Sequence, residues 1–405
     1  MKAARAGARL GWKTRLLACG LAGLWFVSAR PGAGADEPPL TPLEREILLR
    51  HSPVPDPPPD TTNRVADDPR AAALGRALFF DPRLSKDGRV SCATCHDPAR
   101  AFADGRALSQ GLGRGQRNTP ALWNLAHARW FFWDGRADSL WSQALQPFET
   151  PAEMGSTRAA VLGVVRADPQ LRQAYEQVFG PLHDPAAAEP REQARAFANL
   201  GKAIAAFERT LVSARAPFDV FVAGLRDGDA AKLQALSPAA LRGARLFVGR
   251  GNCALCHAGP LFSDGEFHDL GLPLGDDEES ADPGRRAGLE ALQRDEFGAA
   301  GVYSDDRDGP RARALRHLRP PDEAGAEIKT PSLRNVALTA PYMHRGQFAD
   351  LDAVLAFYST HAGRRALPSP RERLLVPLHL TAQESADLKA FLEALTDVSA
   401  TPDRR

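Results

Sequence analysis

Cys92-Ala93-Thr94-Cys95-His96 and Cys253-Ala254-Leu255-Cys256-His257 are the two stretches that decide how this chain folds. Two thiols at that spacing can bond the two vinyl groups of a haem while the next residue presents an imidazole to the iron, so each stretch reads as a c-type haem attachment site. Cys-x-x-Cys also serves zinc sites and redox dithiols. Here, however, both copies carry the histidine and both sit in a repeated context. Leu74-Gly75-Arg76-Ala77-Leu78-Phe79 precedes the first motif and Phe102-Ala103-Asp104-Gly105 follows it. Leu241-Arg242-Gly243-Ala244-Arg245-Leu246-Phe247 and Phe262-Ser263-Asp264-Gly265 frame the second. Two copies of one unit predict two related domains with one covalently bound haem c each.

The rest of the composition agrees with an exported globular protein. The chain has 405 residues, 43% hydrophobic and 25% charged, enough for two packed domains. Lys plus Arg number 51 against 50 Asp plus Glu, so no overall field attracts nucleic acid or an anionic membrane, and any partner docks through a local patch. Lys2, Arg5, Arg9, Lys13 and Arg15 precede an apolar stretch from Leu16 to Ala29, followed by Ala33-Gly34-Ala35. This is the layout of a cleaved secretory signal over residues 1–35, and the apolar run is short of the roughly 20 residues of a spanning anchor. A periplasmic location without a stable membrane anchor follows. Removing Cys19 with the signal leaves four cysteines in two tight pairs, unlike a disulfide framework.

Periodicity predicts a mainly α protein with few strands. The Pro-rich stretch 36–68 reads as an extended lead-in wrapping the first domain. Domains are expected over 69–220 and 221–380, their boundary near Pro217 to Gly228. Glu192 to Val212 is a long amphipathic segment, and Thr381 with Glu384 forms a capping box that opens a last helix to about Leu395. Residues 381–405 are expected to form this helix and a tail packing back on the first domain. A long segment from Gly275 to Pro321, rich in Asp and Arg, shapes a docking face or is a solvated loop.

From Pro69 to Leu395 the chain resembles the bacterial dihaem cytochrome c peroxidase family, and within it the MauG-like branch. The segments that carry the resemblance are Leu78-Phe79-Phe80-Asp81-Pro82-Arg83-Leu84-Ser85, both haem motifs, Arg117-Asn118-Thr119-Pro120, Phe132-Trp133-Asp134-Gly135-Arg136 and Ser332 to Tyr342. The resemblance implies two cytochrome c-like domains and a peroxide-reactive haem on His96. Family peroxidases can block that haem with a histidine sixteen residues beyond the motif histidine; here the position is Leu112, which implies an open iron. Glu153, twenty residues after Trp133, matches the family's distal carboxylate, and Gln143 and Pro147 match other distal positions. A carboxylate there can take a proton from the bound oxygen of peroxide and return it to the outer one. Trp133 is implied to lie between the haems and relay electrons.

The same resemblance fills the second site. Seventeen residues beyond Pro341, where electron-carrier members have Met, stands Tyr358, and the MauG-like branch has Tyr as axial ligand. A phenolate is a hard donor that stabilises oxidised iron, so the haem on His257 should have a low potential. Asn118, Thr339 and Pro341 match the positions that bind one calcium ion between the domains, with hard oxygen donors. His344 matches a family position near the haems, Met343 is not assigned to iron, and His51, His127, His183, His268, His317, His361 and His379 have no spacing that selects them.

Two functions remain in view. One is an enzyme that reduces hydrogen peroxide and stores or relays oxidising equivalents, drawing electrons from a small c-type cytochrome or a cupredoxin, or oxidatively modifying a protein substrate. The other is a dihaem electron-transfer cytochrome without catalysis. The branch enzyme that matures methylamine dehydrogenase uses a surface Trp two residues before the second motif; here that position is Gly251, which puts that substrate in doubt. A homodimer is compatible with either function.

Overall fold

Proline at the first helical position recurs along this chain and sets where its helices begin, because the missing N–H falls where no intrahelical acceptor exists. In the computed structural model, which describes residues 39–213, 215–272, 282–319, 326–365 and 375–397, α1 (Pro42–Arg50), α2 (Pro69–Phe79), the single turn α3 (Cys92–Cys95), α4 (Leu140–Glu149), α5 (Arg158–Ala167), α6 (Pro169–Phe179) and α7 (Pro190–Glu208) come first. Then follow α8 (Pro217–Asp227), the turn α9 (Ala230–Leu233), α10 (Pro238–Val248), α11 (Gly284–Arg294), α12 (Pro310–Leu315), α13 (Leu351–Thr360) and α14 (Ala382–Glu393). Seven of these open on proline. The expected mainly α class is observed: among the described residues the only named sheet is β1 (Phe267–His268) antiparallel to β2 (Ile328–Lys329). The expected signal segment and the tail beyond Asp397 lie outside the described residues. No helix among the described residues is long and apolar enough to cross a membrane.

Two helix crossings, built on the repeated sequence, organise Leu40–Arg405, which forms one compact unit. In the first, α2 crosses α7 so closely that a Cβ on Gly75 would lie 1.9 Å from the Ala203 carbonyl oxygen. In the second, α10 crosses α14, and a Cβ on Gly243 would lie 2.0 Å from the Asp387 carbonyl oxygen. Gly75 and Gly243 occupy matching places in the repeat, four residues before Phe79 and Phe247. Each crossing supports its own apolar core. Leu74, Leu78, Phe79, Trp141, Phe148 and Phe197 belong to one; Phe218, Phe247, Phe262, Phe391 and Leu395 belong to the other.

Four expectations are corrected. The lead-in is not extended throughout, since Thr41 and Glu44 close a capping box on α1, and Leu48 of α1 buries in the second core rather than the first. The last helix, capped as expected by Thr381 and Glu384, packs on α10 of the second half, because Phe391 and Leu392 face that core. A boundary at 220/221 would cut α8, whose Phe218 and Phe221 already belong to the second core, while Leu211 belongs to the first. The described part of the 275–321 segment is not merely a solvated loop: Phe297 and Tyr303 bury in the first core, and Asp305 pairs with the buried Lys202 at 2.6 Å.

Gly75→Ala and Gly243→Ala should each destabilise the protein by about 1–3 kcal/mol through overpacking. Gly163→Ala, in α5 with nothing near its Cβ, should stabilise it by about 0.5–1 kcal/mol. Thermal denaturation of the three variants checks this; equal behaviour at positions 75 and 163 would refute the close-crossing argument.

Candidate haem and peroxide site

The two motif histidines are held by the same device. His96 follows α3, its backbone N–H donates to the Cys92 carbonyl at 2.9 Å, and its Nδ1 lies 3.1 Å from the Phe102 carbonyl oxygen. His257 repeats this with Cys253 at 2.9 Å and Phe262 at 2.8 Å. Phe102 (φ 60°) and Phe262 (φ 53°) both adopt the left-handed region, which turns their carbonyls toward the rings. An Nδ1–H donated to a carbonyl leaves Nε2 as the free lone pair, the arrangement expected of a metal-bound imidazole. Burial lowers both imidazole pKa values, which keeps the rings neutral.

The thiols do not behave as a redox dithiol. All four are free of disulfides, and burial pushes Cys95 up to about 11 and Cys253 up to about 12, opposite to the lowered values of reactive pairs. Among the described residues the only metal-ligating cluster beside them is Cys256 with Asp264 and His268, three mixed ligands with no counterpart at the first motif.

Both histidines open on one cavity of about 1540 Å³, well above the roughly 300–1,000 Å³ of an ordinary small-molecule pocket. Four buried polar atoms on its wall have no hydrogen-bond partner among the described residues: Trp123 Nε1, His127 Nε2, Gln143 Oε1 and His344 Nδ1. Orphaned polar groups on an apolar cavity call for a polar occupant, because leaving them dry costs about 1–3 kcal/mol each. Two neutral imidazoles, four free thiols beside them and a large apolar cavity with scattered donors and acceptors fit two haems.

The structure extends the internal repeat far beyond the stretches legible in sequence. Thr119 to Asn124 matches Thr330 to Asn335, with Asn124 and Asn335 both left-handed at φ 60° and 61°. Phe132 and Met343 (φ 64° and 69°) match next, then Gly135 and Gly346 (φ 68° and 63°), closed by bridges between Phe131 and Ala137 and between Tyr342 and Phe348. Helices α4 and α13 follow, ten residues each, capped by Ser139 and Asp350. At this one constant offset Trp133 matches His344, Gln143 matches Val354, and Pro147 matches Tyr358. Tyr358 lines the cavity with Cys253, Cys256 and His257. Pro147, at the equivalent place on α4, has no side-chain donor atom.

The other expected residues fall as follows. Gln143 and Trp133 line the cavity. Trp133 donates its Nε1–H to the Asn118 carbonyl at 2.8 Å and meets His344 edge-on at 6.5 Å, while its own carbonyl accepts from Lys329 N at 2.8 Å, joining the halves. Glu153 is not on the main cavity wall; it is half-buried near Cys92 and Cys95, close enough to raise both thiols, and desolvation raises its own pKa. Leu112 packs on the same turn, its N–H donating to the Glu153 carbonyl at 2.9 Å. Asn118, Thr339 and Pro341 all line the cavity, and Asn118 spends its amide Nδ2 on the Arg106 carbonyl at 2.7 Å, leaving the oxygen.

Sequence reading missed the partners of Arg117 and the burial of Glu208, and gave no environment for His344, which it placed near the haems. Arg117 holds Asp282 through Nε at 2.7 Å and Nη2 at 2.6 Å and also bonds Asp134, so the 275–321 segment reaches the site; partners so far apart leave no local signal. His344, 3.8 Å from Asp282, is pushed by burial to about 4. Glu208 ends the apolar run Ala203 to Phe207, a visible anomaly; it is buried with Oε2 unpartnered, and burial pushes it to about 8.

Fold and site together define a c-type haem oxidoreductase with two haem positions. The description "di-haem cytochrome c peroxidase" fits residues 69–227. The chain is 37% identical to the methylamine utilization protein MauG of Methylorubrum extorquens over 329 residues, 81% of this chain and 78% of that one. It is 38% identical to the cytochrome-c peroxidase IdrP1 of Denitromonas iodatirespirans over 389 residues, 94% and 92% of the two chains. The crystal structure of the diheme peroxidase BthA from Burkholderia thailandensis superposes with a TM-score of 0.66 at 26% identity, covering 87% of this chain and 97% of that one. The chain belongs to the di-haem cytochrome c peroxidase family and is an oxidoreductase.

Because Glu208 is raised when folded, the native state holds a proton that the unfolded chain releases between about pH 4.5 and 8, so stability falls as pH rises through that window. Glu208→Gln should remove a loss of about 3–5 kcal/mol across it. Denaturant midpoints at pH 5 and pH 8 check this: a wild-type slope unchanged by the substitution would contradict it.

Proposed function

We propose that this protein is a periplasmic di-haem peroxidase with one open and one tyrosine-capped haem. The observation that carries the reading is that Pro147 and Tyr358 occupy equivalent places on α4 and α13, one without a donor atom and one with a phenol oxygen. Cys92 and Cys95 hold the first haem with His96 on its iron; Cys253 and Cys256 hold the second with His257 and Tyr358. When bound, the haems supply the iron chemistry that accepts peroxide and its two oxidising equivalents.

The chain's own residues do the rest. Glu153 takes a proton from one peroxide oxygen and returns it to the other, so that water leaves; burial raises its carboxyl toward the working pH, where such a group is most effective. Gln143, which lines the cavity and whose buried Oε1 has no partner among the described residues, orients the bound peroxide. Trp133 bridges the two halves and relays electrons. Tyr358 would hold the second iron only as a phenolate: burial raises its phenol pKa, so a cation beside the oxygen would be needed to keep it deprotonated. Asn118 Oδ1 with the Thr339 and Pro341 carbonyls would bind one calcium at the junction. A soluble electron donor is favoured over a protein substrate read at position 251, where a Cβ would lie 2.6 Å from the Leu246 carbonyl oxygen and no large side chain fits.

Ferric holoprotein should show one high-spin and one low-spin haem, with only the high-spin signal responding to peroxide. Tyr358→Phe should alter the low-spin signal alone; an unaltered spectrum would remove Tyr358 from the iron. Glu153→Gln should slow the stopped-flow reaction with peroxide about 10²- to 10⁴-fold while leaving both haems attached. A wild-type rate would exclude Glu153 as the acid–base group.

A further inference from the structure

Two tryptophans three residues apart line the cavity, and the structure treats them in opposite ways. Trp133 gives its indole N–H to the Asn118 carbonyl, an acceptor that favours positive charge on the ring, and among the described residues no cation lies over it. Trp130 is buried, and two guanidinium groups face it: Arg285 at 4.3 Å and Arg129 at 5.1 Å from the ring centre. Arg285 is itself buried. It stacks at 4.1 Å on Phe267, donates to the Gly135 carbonyl at 2.8 Å, and makes no ion pair among the described residues. The carboxylates of Asp134, Glu266 and Glu327 offset its charge only in part, and it acts in a medium where charges are screened far less than in water.

Removing an electron from an indole leaves a positive ring. Beside a cation that change is opposed, and the cation–π attraction is lost as well. Beside a carbonyl oxygen it is favoured. The two rings are thus biased against each other, and the bias comes from α11, which carries Arg285 in from a part of the chain remote in sequence from both tryptophans. Burial lowers Arg285 to about 10, which still leaves it protonated near neutral pH.

We propose that Arg285 is an electrostatic guard that keeps oxidising equivalents derived from peroxide on Trp133 and off Trp130. The proposal rests on the reading of Trp133 as the relay. Without the guard, Trp130 gives two electrons to the peroxide-derived oxidant, a water oxygen adds to the indole and two protons leave. The net change is one peroxide consumed, one hydroxylated tryptophan and one water formed.

The test uses holoprotein given pulses of hydrogen peroxide without reductant, followed by peptide mass spectrometry at Trp130 and Trp133. Arg285→Met keeps the bulk and removes the charge; it should raise oxygen incorporation at Trp130 about tenfold, equivalent to about 1.4 kcal/mol. Arg285→Lys keeps a cation and should stay near wild type. Arg129→Met, at an exposed position that folding tolerates, should give a smaller rise of about threefold. No rise in either Met variant, or an equal rise in the Lys variant, overturns the proposal, the second because packing rather than charge would then be at work. Failure of the relay reading shows separately, as an unchanged rate of second-haem oxidation in Trp133→Phe.

Discussion

Each motif imidazole is tied by Nδ1–H to a backbone carbonyl that a phenylalanine in the left-handed region holds within reach, and the architecture is arranged around that pair of bonds. A bulky residue at positive φ is a costly conformation that persists only where the surroundings over-determine it. Here they do. Phe102 packs edge-on against Phe79 and Trp123, and Phe262 against Phe218, Phe247 and Phe391. Of those partners Phe79, Phe247 and Phe391 come from the close helix crossings, so the glycine contacts, the aromatic packing and the histidine tautomer are linked.

On that shared frame the two halves carry different side chains at most matched positions. Where one α-helix carries proline, the other carries tyrosine; where one loop carries tryptophan, the other carries histidine. The backbone conformations along the repeat agree closely, including the rare positive φ values, so exchange of side chains on one repeated scaffold sets the two halves apart. Function here lies in the site rather than in the fold.

The segment between the second motif and β2 adds a feature that the repeat lacks. It buries Phe297 and Tyr303 in the first core, brings Asp282 to Arg117, and stacks Arg285 between Trp130 and Phe267. A stretch of high charge is usually solvated, and that is how it reads in sequence. In the folded chain Asp282, Arg285, Asp295 and Asp305 find partners in the other half, while Arg286 and Arg316 stay exposed with local partners, and the segment becomes a brace across the region between the two histidines.

By itself the sequence determined what local chemistry and short-range pattern can determine: two haem attachment motifs, a repeated unit, helices starting at proline or at capping residues, and a family whose motif positions pointed to Trp133, Gln143, Glu153, Pro147 and Tyr358. Only the tertiary structure decided which half α1 and α14 join, that Pro147 and Tyr358 are counterparts, that Glu208 and His344 are buried without full hydrogen bonding, and that Arg285 covers Trp130. The physical reason is range. Caps, motifs and periodicity act over a few residues, whereas burial, ion pairing and ring stacking depend on partners that folding alone brings together.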